Sequence, residues 1–170
     1  MEITLQILNE LEKEGVIKTY ALGGATALLF FAEPASTYDV DVFILLDQKP
    51  STSLIDLTPL YESLKRKGYE ADKEHFMIDG IPVQFIPAYN DLVEEGVNKA
   101  VIKDYQLVKT KVVSLEYLIA IMLDTYRPKD KERIAKLLEE GVEFDKNKLS
   151  EILSKYHLTE KWEKISGKME

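Results

Sequence analysis

The chain has 170 residues, 45% of them hydrophobic, and a formal net charge of −8 at pH 7. This length and composition are typical of a globular domain with its own core, and the acidic balance disfavours broad adhesion to nucleic acid. Cysteine is absent, which excludes a disulfide framework, a zinc–thiolate site and a cysteine nucleophile, and favours a reducing cytoplasmic setting.

Hydrophobic periodicity and turn residues predict a mixed first half of the chain. In chain order we expect a helix over 3–14, a strand over 16–22, a short buried helix over 25–31, a strand over 40–46, a helix over 57–67, a hairpin over 76–86, a helical turn over 90–95 and a strand over 106–113. The hairpin turn is Asp79-Gly80, and Pro82 suggests that its second strand is an edge strand or carries a bulge.

The character of the chain changes near residue 114, after which only helices are predicted. They are expected over 115–125, 129–140 and 146–156, and Trp162 is expected to hold a last helix against the core. We therefore predict an α/β core over 1–113 and a helical C-terminal region over 114–170 that packs on it. No apolar stretch approaches the roughly 20 residues that cross a bilayer, so no membrane association is expected.

The most informative pattern is a glycine pair, Gly23-Gly24, followed by two acids on the next predicted strand, Asp39 and Asp41. Residues at i and i+2 of a strand share a face, so the two carboxylates lie side by side and repel each other. A divalent cation relieves that repulsion, and a glycine turn offers backbone N–H groups to phosphates. The pattern predicts a metal-assisted phosphate site. It contains neither a Walker A loop nor a calcium-binding EF-hand loop.

These residues resemble the minimal nucleotidyltransferase fold shared with the polymerase β superfamily. The carrying motifs are Leu22-Gly23-Gly24 and Asp39-Val40-Asp41-Val42. Within that superfamily the chain is most similar to AbiEii-type and related bacterial and archaeal proteins, through Gly24-Ala25-Thr26-Ala27-Leu28 and Ser36-Thr37-Tyr38-Asp39. A second match in the tail is Arg127-Pro128-Lys129-Asp130, which follows a predicted helix.

The resemblance implies a mixed, mostly antiparallel sheet flanked by helices, with a helical C-terminal region. It also implies transfer of a nucleoside monophosphate from a nucleoside triphosphate, with Mg²⁺ or Mn²⁺ held by carboxylates. Asp39 and Asp41 are then the metal ligands and, with Gln84, the catalytic residues. The implied phosphate- and nucleotide-binding residues are Gly23, Gly24, Thr26, Thr37, Arg127 and Lys129.

Two positions depart from the family pattern. The third carboxylate is expected on the strand after the hairpin turn, but the position that aligns is Gln84, which contributes no charge. Distant substitutes are Glu70, Asp72 and Glu74. A lysine is also common where this chain has Met122, and Arg127, Lys129 or Lys109 is expected to take its place.

Structural explanations compete with the functional ones. The acid pair is also compatible with the exposed end of a strand, the glycine pair with a plain turn, and Gln84 with an exposed edge. Arg127 is also placed to neutralise Asp124 or Asp130. His75 and His157 are expected at the surface.

The predicted function is metal-assisted nucleotidyl transfer to a protein, a small molecule or an RNA end. The acidic charge favours the first two acceptors over nucleic acid. The alternative is a catalytically degenerate protein of the same fold that binds a nucleotide or a partner, as half of a toxin–antitoxin-like pair. The oligomeric state is not predicted.

Overall fold

A computed structural model describes residues 1–32, 39–48 and 54–167. In those ranges one seven-stranded sheet has the spatial order β3-β4-β5-β2-β1-β7-β6. The strands are β1 (Thr19–Leu22), β2 (Val40–Leu45), β3 (Glu70–Asp72), β4 (His75–Ile78), β5 (Ile81–Pro87), β6 (Val101–Tyr105) and β7 (Val108–Val112). The helices are α1 (Glu2–Lys13), α2 (Gly24–Leu28), α3 (Thr58–Arg66), α4 (Asp91–Asn98), α5 (Leu115–Thr125), α6 (Pro128–Glu139), α7 (Lys146–Lys155) and α8 (Thr159–Ser166).

The sheet is mixed and mostly antiparallel, as predicted. Only the β1–β7 and β2–β5 ladders are parallel among the described strands. The fold class expected from the sequence is therefore confirmed. The long parallel ladder between β2 and β5 matters most for the site, because it places Asp41 directly opposite Gln84.

Helices cover the sheet because each buries an apolar stripe. In α1, Leu5, Leu8 and Leu11 are fully buried against β1 and β7. Helix α5 is apolar over nearly its whole length, and it packs against α2, α4, α6 and α7. A helix that is buried on most sides forms part of the core, and α5 therefore joins α2 and α4, which pack on the sheet, to the C-terminal helices. The division of the chain at residue 113 stays a prediction.

Several elements were not expected from the sequence. Strand β3 is short and exposed, and β6 mixes apolar with charged residues, and both pair with an antiparallel partner, β4 and β7 respectively. The expectation for Pro82 is wrong, since β5 is an interior strand between β4 and β2. Proline is tolerated there because the ladder with β2 begins one residue later, at Val83.

The side chain of the preceding residue caps both α4 and α7. Asp145 caps α7 by accepting a hydrogen bond from the Lys148 backbone, and Asn90 caps α4 through Val93. Trp162 lies on α8 and makes an edge contact with the ring of Phe144. Of the helices in the described ranges, none has the length and apolar character required to traverse a bilayer.

Candidate nucleotide site

A cavity of about 620 Å³ lies between the start of β2, the middle of β5 and the helices α2, α5 and α6. Predicted site residues from both halves of the sequence meet in its wall. They are Gly24, Asp39, Asp41, Gln84, Arg127 and Lys129. Such a concave space with converging charged groups is the usual form of a small-molecule site.

The acid pair faces this cavity. Asp41 is half-buried on β2, while its neighbours Val40 and Val42 are buried on the other side of the strand. Burial, and then the negative charge of Asp39, raise the pKa of Asp41 above its usual range. The positive charges of Lys129 and Arg133 act in the opposite direction. The site therefore holds a carboxylate pair that is partly compensated by cations on α6.

The glycine pair is required by close packing against β2. The N–H of Gly23 donates to the carbonyl oxygen of Asp41 at 2.9 Å. A Cβ at Gly24 would collide with the Asp41 carboxylate, and a Cβ at Gly23 would collide with the Phe43 ring. Gly24 also has a φ of +55°, which side-chain-bearing residues rarely adopt. Of the two glycines only Gly24 lines the cavity, and the Gly23 N–H is already used inside the fold.

The structure does not place Thr26 among the cavity-lining residues. Its side chain is buried, and its hydroxyl donates to the carbonyl oxygen of Asp39 at 3.1 Å. Because that hydroxyl fixes the backbone just before β2, Thr26 supports the position of the acid pair and does not present its hydroxyl to the cavity. Thr37 lies outside the described residues.

Gln84 lies on β5, the strand on which the third carboxylate was expected, and β5 is an interior strand of the sheet. It lies opposite Asp41 in the parallel ladder and lines the same cavity. The reading of Gln84 as an exposed edge residue is therefore wrong. The suggested substitutes for a third acid, Glu70, Asp72 and Glu74, are exposed and do not line the cavity.

His75 is a site neighbour that the sequence analysis missed. It is half-buried, and its Nε2 lies 3.1 Å from Oδ2 of Asp39. The expectation of a surface position is wrong for His75 and correct for His157, which is exposed. The hairpin contained part of the signal, because the two-residue turn Asp79-Gly80 sets Phe76, the residue after His75, opposite Val83, the residue before Gln84.

Arg127 lines the cavity, but its charge is already engaged. Its guanidinium donates to both carboxylate oxygens of Asp130, at 2.8 and 3.1 Å. Burial alone would raise the pKa of Asp130, but the hydrogen bonds from Arg127 and Thr125 lower it overall. The Arg-x-Lys-Asp motif therefore begins α6, where the Asp130 carboxylate accepts from the Arg127 backbone N–H, and the expected neutralisation of Arg127 is by Asp130, not by Asp124.

The lining also includes Arg133 and Tyr89, which were not predicted as site residues. Arg133 lies one helical turn after Lys129, so the predicted helix over 129–140 already placed both on one face. The Tyr89 ring meets the edge of Phe43, and both rings line the cavity. Met122 lines it as well, whereas Lys109 lies elsewhere and pairs with Asp104.

Comparison with known proteins bears on the fold. No protein-family model matches the sequence, and no characterised protein sequence matches it. Among solved structures the chain is similar to an antigenic nucleotidyltransferase-like protein from Paracoccidioides brasiliensis, with a TM-score of 0.53 and 16% identity over 81% of this chain and 73% of that one. A nucleotidyltransferase candidate from Thermotoga maritima aligns over 79% of this chain and 94% of that one, with 19% identity.

The second likeness has a TM-score of 0.43, which is too low to carry an argument. The first likeness, with a TM-score of 0.53 at 16% identity, is a likeness of fold. On that basis, the protein has the nucleotidyltransferase-like fold that its sequence motifs predicted.

Proposed function

We propose that this chain binds a nucleoside triphosphate in the cavity between β2 and α6 and transfers its nucleoside monophosphate to an acceptor hydroxyl. The observation that carries the proposal is the arrangement of charge around one cavity. Asp39 and Asp41 lie on its sheet side with Gly24, and Lys129 and Arg133 lie on its helical side. This arrangement suits a ligand that brings both a cation and a polyphosphate.

The donor set fits one Mg²⁺ or Mn²⁺. Magnesium is usually bound through one or two carboxylates together with substrate phosphates and waters, and Asp39 and Asp41 supply those carboxylates. Gln84 adds an amide oxygen without charge. Within residues 1–32, 39–48 and 54–167, no group of three or more His, Asp or Glu side chains is arranged to hold a metal. A two-metal centre held by three carboxylates therefore does not fit.

When bound, the ion would supply neutralisation of charge on the transferring phosphate. In the proposed reaction the acceptor oxygen forms a bond to the α-phosphorus while the bond to pyrophosphate breaks. The net charge of −8 favours a protein or a small molecule over nucleic acid as the acceptor. The proposal includes a relationship between this chain and AbiEii-type proteins, which the sequence motifs resemble.

One observation favours a second candidate function. The residue opposite Asp41 is the neutral Gln84, and the cavity wall has Met122 where related proteins often have a lysine. A chain with fewer charged groups for catalysis is suited to binding a nucleotide or a partner without transfer, as in a toxin–antitoxin-like pair. The two functions share the cavity and differ in turnover.

A transfer assay with α-labelled nucleoside triphosphates, run beside calorimetric binding with and without Mg²⁺, separates the two functions. Each of the four common triphosphates is tested with the protein itself and with added acceptors. Label transfer that is lost in Asp41→Asn and kept in Asp104→Asn supports the transferase. Asp104 is the matched control because it is an exposed carboxylate that does not line this cavity.

Binding without transfer in the wild-type protein supports the second function. In that case Gln84→Asp is the informative variant, because it restores a third carboxylate opposite Asp41. Transfer gained by Gln84→Asp identifies a transferase that has lost its activity. No binding of any nucleotide by the wild-type protein refutes the transferase and the nucleotide-binding form of the second function, and leaves only partner binding.

A further inference from the structure

We propose that two copies of this chain associate through the turn that joins β6 to β7, with Leu107 of each copy inserted into an apolar recess of the other. The turn consists of Gln106 and Leu107 and is here called the β6–β7 tip. The recess lies beside it at the edge of the sheet. None of the residues that line the recess lines the candidate nucleotide cavity, so the inference is independent of the proposed function.

Leu107 is an exposed apolar side chain at the tip. It is 98% exposed, which is the highest value among the large hydrophobic residues that the structure describes. Gln106 has a φ of +53°, a conformation that two-residue turns usually assign to glycine, asparagine or aspartate. Ile102, on β6, is also exposed and extends the apolar surface. Neither the geometry of the turn nor packing within the chain therefore accounts for a leucine at this position.

A recess with an apolar wall opens beside the tip, between α1, α2 and β6. Its volume is about 260 Å³. Leu5, Leu22, Leu29 and Phe30 lie in its wall, and Tyr105 forms the side next to the tip. An apolar cavity of about 150 Å³ holds a benzene molecule, so this recess has room for the branched end of a leucine. The recess therefore offers a leucine side chain the burial that Leu107 lacks within its own chain.

The tip and the recess are close together, which favours a second copy as the partner. Tyr105 and Leu107 are two residues apart, so their Cα atoms are separated by at most about 7.6 Å. In a two-fold dimer each contact between a tip and a recess is made twice, and a second copy carries both complementary parts. Within the described ranges β6 is the outermost strand at its end of the sheet, so this side accepts a neighbour.

The charges around the tip are also self-complementary. Asp104 lies at the recess and Lys109 follows the tip on β7, and both side chains are largely exposed. Within one chain they form an ion pair at 3.0 Å, which is worth little in water. A two-fold axis beside the tip brings Lys109 of one copy towards Asp104 of the other, so the pair is exchanged between copies at small cost. Such peripheral charges orient the two molecules, and the leucines supply the burial.

Sedimentation velocity over about 10 μM to 1 mM protein measures the association. The contact is small compared with the roughly 800 Å² per partner of stable complexes, so we expect a weak dimer within that range. Leu107→Ser should weaken the association at least about 10-fold. Leu54→Ser is the matched control, because Leu54 is 81% exposed and does not line the recess. Circular dichroism verifies that each variant keeps its fold.

Disulfide trapping tests the geometry of the contact. The chain has no cysteine, so only engineered thiols react. A Leu107→Cys chain is mixed with a Leu29→Cys chain under mild oxidation, and a mixed disulfide is expected because Leu29 is an exposed residue of the recess wall. Ile55→Cys replaces Leu29→Cys in the control mixture, since Ile55 is more exposed than Leu29 and does not line the recess. The Leu29→Cys mixture should cross-link at least about 10-fold faster.

A wild type that stays monomeric up to about 1 mM overturns the inference, as does equal association of the wild type and Leu107→Ser. A dimer in which the Leu107→Cys and Leu29→Cys chains cross-link no faster than the control mixture also overturns it, because the contact then lies elsewhere. Loss of the dimer in Leu107→Ser together with the selective cross-link supports it. These outcomes do not depend on whether the chain binds or transfers a nucleotide.

Discussion

The Nε2 atom of His75 lies 3.1 Å from Oδ2 of Asp39, which joins the start of β4 to the residue just before β2. A carboxylate only accepts, so the imidazole donates its Nε2–H and fixes the orientation of Asp39. Outer partners of this kind hold a metal-binding carboxylate in position, and their loss typically lowers metal affinity about 10–100-fold. His75 is therefore expected to act as a positioning residue.

We predict that His75→Ala weakens Mn²⁺ binding by about 10–100-fold, as measured by electron paramagnetic resonance of the free ion. His75→Gln should recover most of the affinity, because its amide N–H can reach the same carboxylate. His157→Ala is the control, since His157 is exposed and does not line the cavity. Equal affinities in His75→Ala and the wild type would contradict the positioning role.

Gly24→Ala tests the close approach of α2 to the acid pair. An alanine at position 24 would keep a φ of +55°, which is strained, and its Cβ would collide with the Asp41 carboxylate. We therefore expect a loss of about 2–4 kcal/mol in the free energy of unfolding. Gly141→Ala is matched for backbone strain, with a φ of +66° and no atom near its Cβ, and should cost about 1 kcal/mol. Chemical denaturation measures both. Equal losses would show that crowding against Asp41 is unimportant.

Asp130→Asn tests the start of α6. Asp130 is fully buried and accepts from Thr125 and from both the backbone and the side chain of Arg127. Removal of its charge should cost about 2–3 kcal/mol at pH 7. Asp104→Asn, which affects only an exposed ion pair, should cost less than about 1 kcal/mol.

The same carboxylate predicts a pH dependence. The pKa of Asp130 is lower in the folded chain than in the unfolded one, so the native state binds fewer protons over that interval. Its stabilising contribution is complete above the unfolded pKa of 3.8, and is lost as the pH falls through the lower folded value. The advantage of the wild type over Asp130→Asn should therefore shrink below about pH 4. An advantage that stays constant down to pH 2 would contradict this assignment.

The pH dependence of stability that Asp41 predicts has the opposite sign to that of Asp130. Its pKa is raised on folding, so the native state binds more protons and stability falls as the pH rises above the unfolded value of 3.8. Asp41→Asn should therefore raise the Tm at pH 7, by about 2–4 °C for each kcal/mol of relieved repulsion. The gain should disappear at acidic pH, and metal binding should be lost. A lower Tm of Asp41→Asn at pH 7 that disappears at acidic pH would show that the α6 cations stabilise the Asp41 charge more than burial and Asp39 destabilise it.

The local pattern of the sequence was sufficient for much of this fold. Strand β2, helix α5 and the hairpin around Asp79-Gly80 were predictable because their periods and turn residues are properties of neighbouring positions. The common face of Asp39 and Asp41 follows from the same two-residue period. Strands β3 and β6 were missed because a short exposed segment and a segment of mixed apolar and charged residues form strands only beside a partner.

Only the tertiary structure decided which distant groups meet the acid pair. The parallel pairing of β2 with β5 sets Gln84 opposite Asp41, and the packing of α6 brings Lys129 and Arg133 to the same cavity. The antiparallel pairing of β1 with β2 gives the N–H of Gly23 to the Asp41 carbonyl, which removes one expected phosphate ligand. These outcomes depend on contacts between segments far apart in the chain, whose geometry no local period specifies.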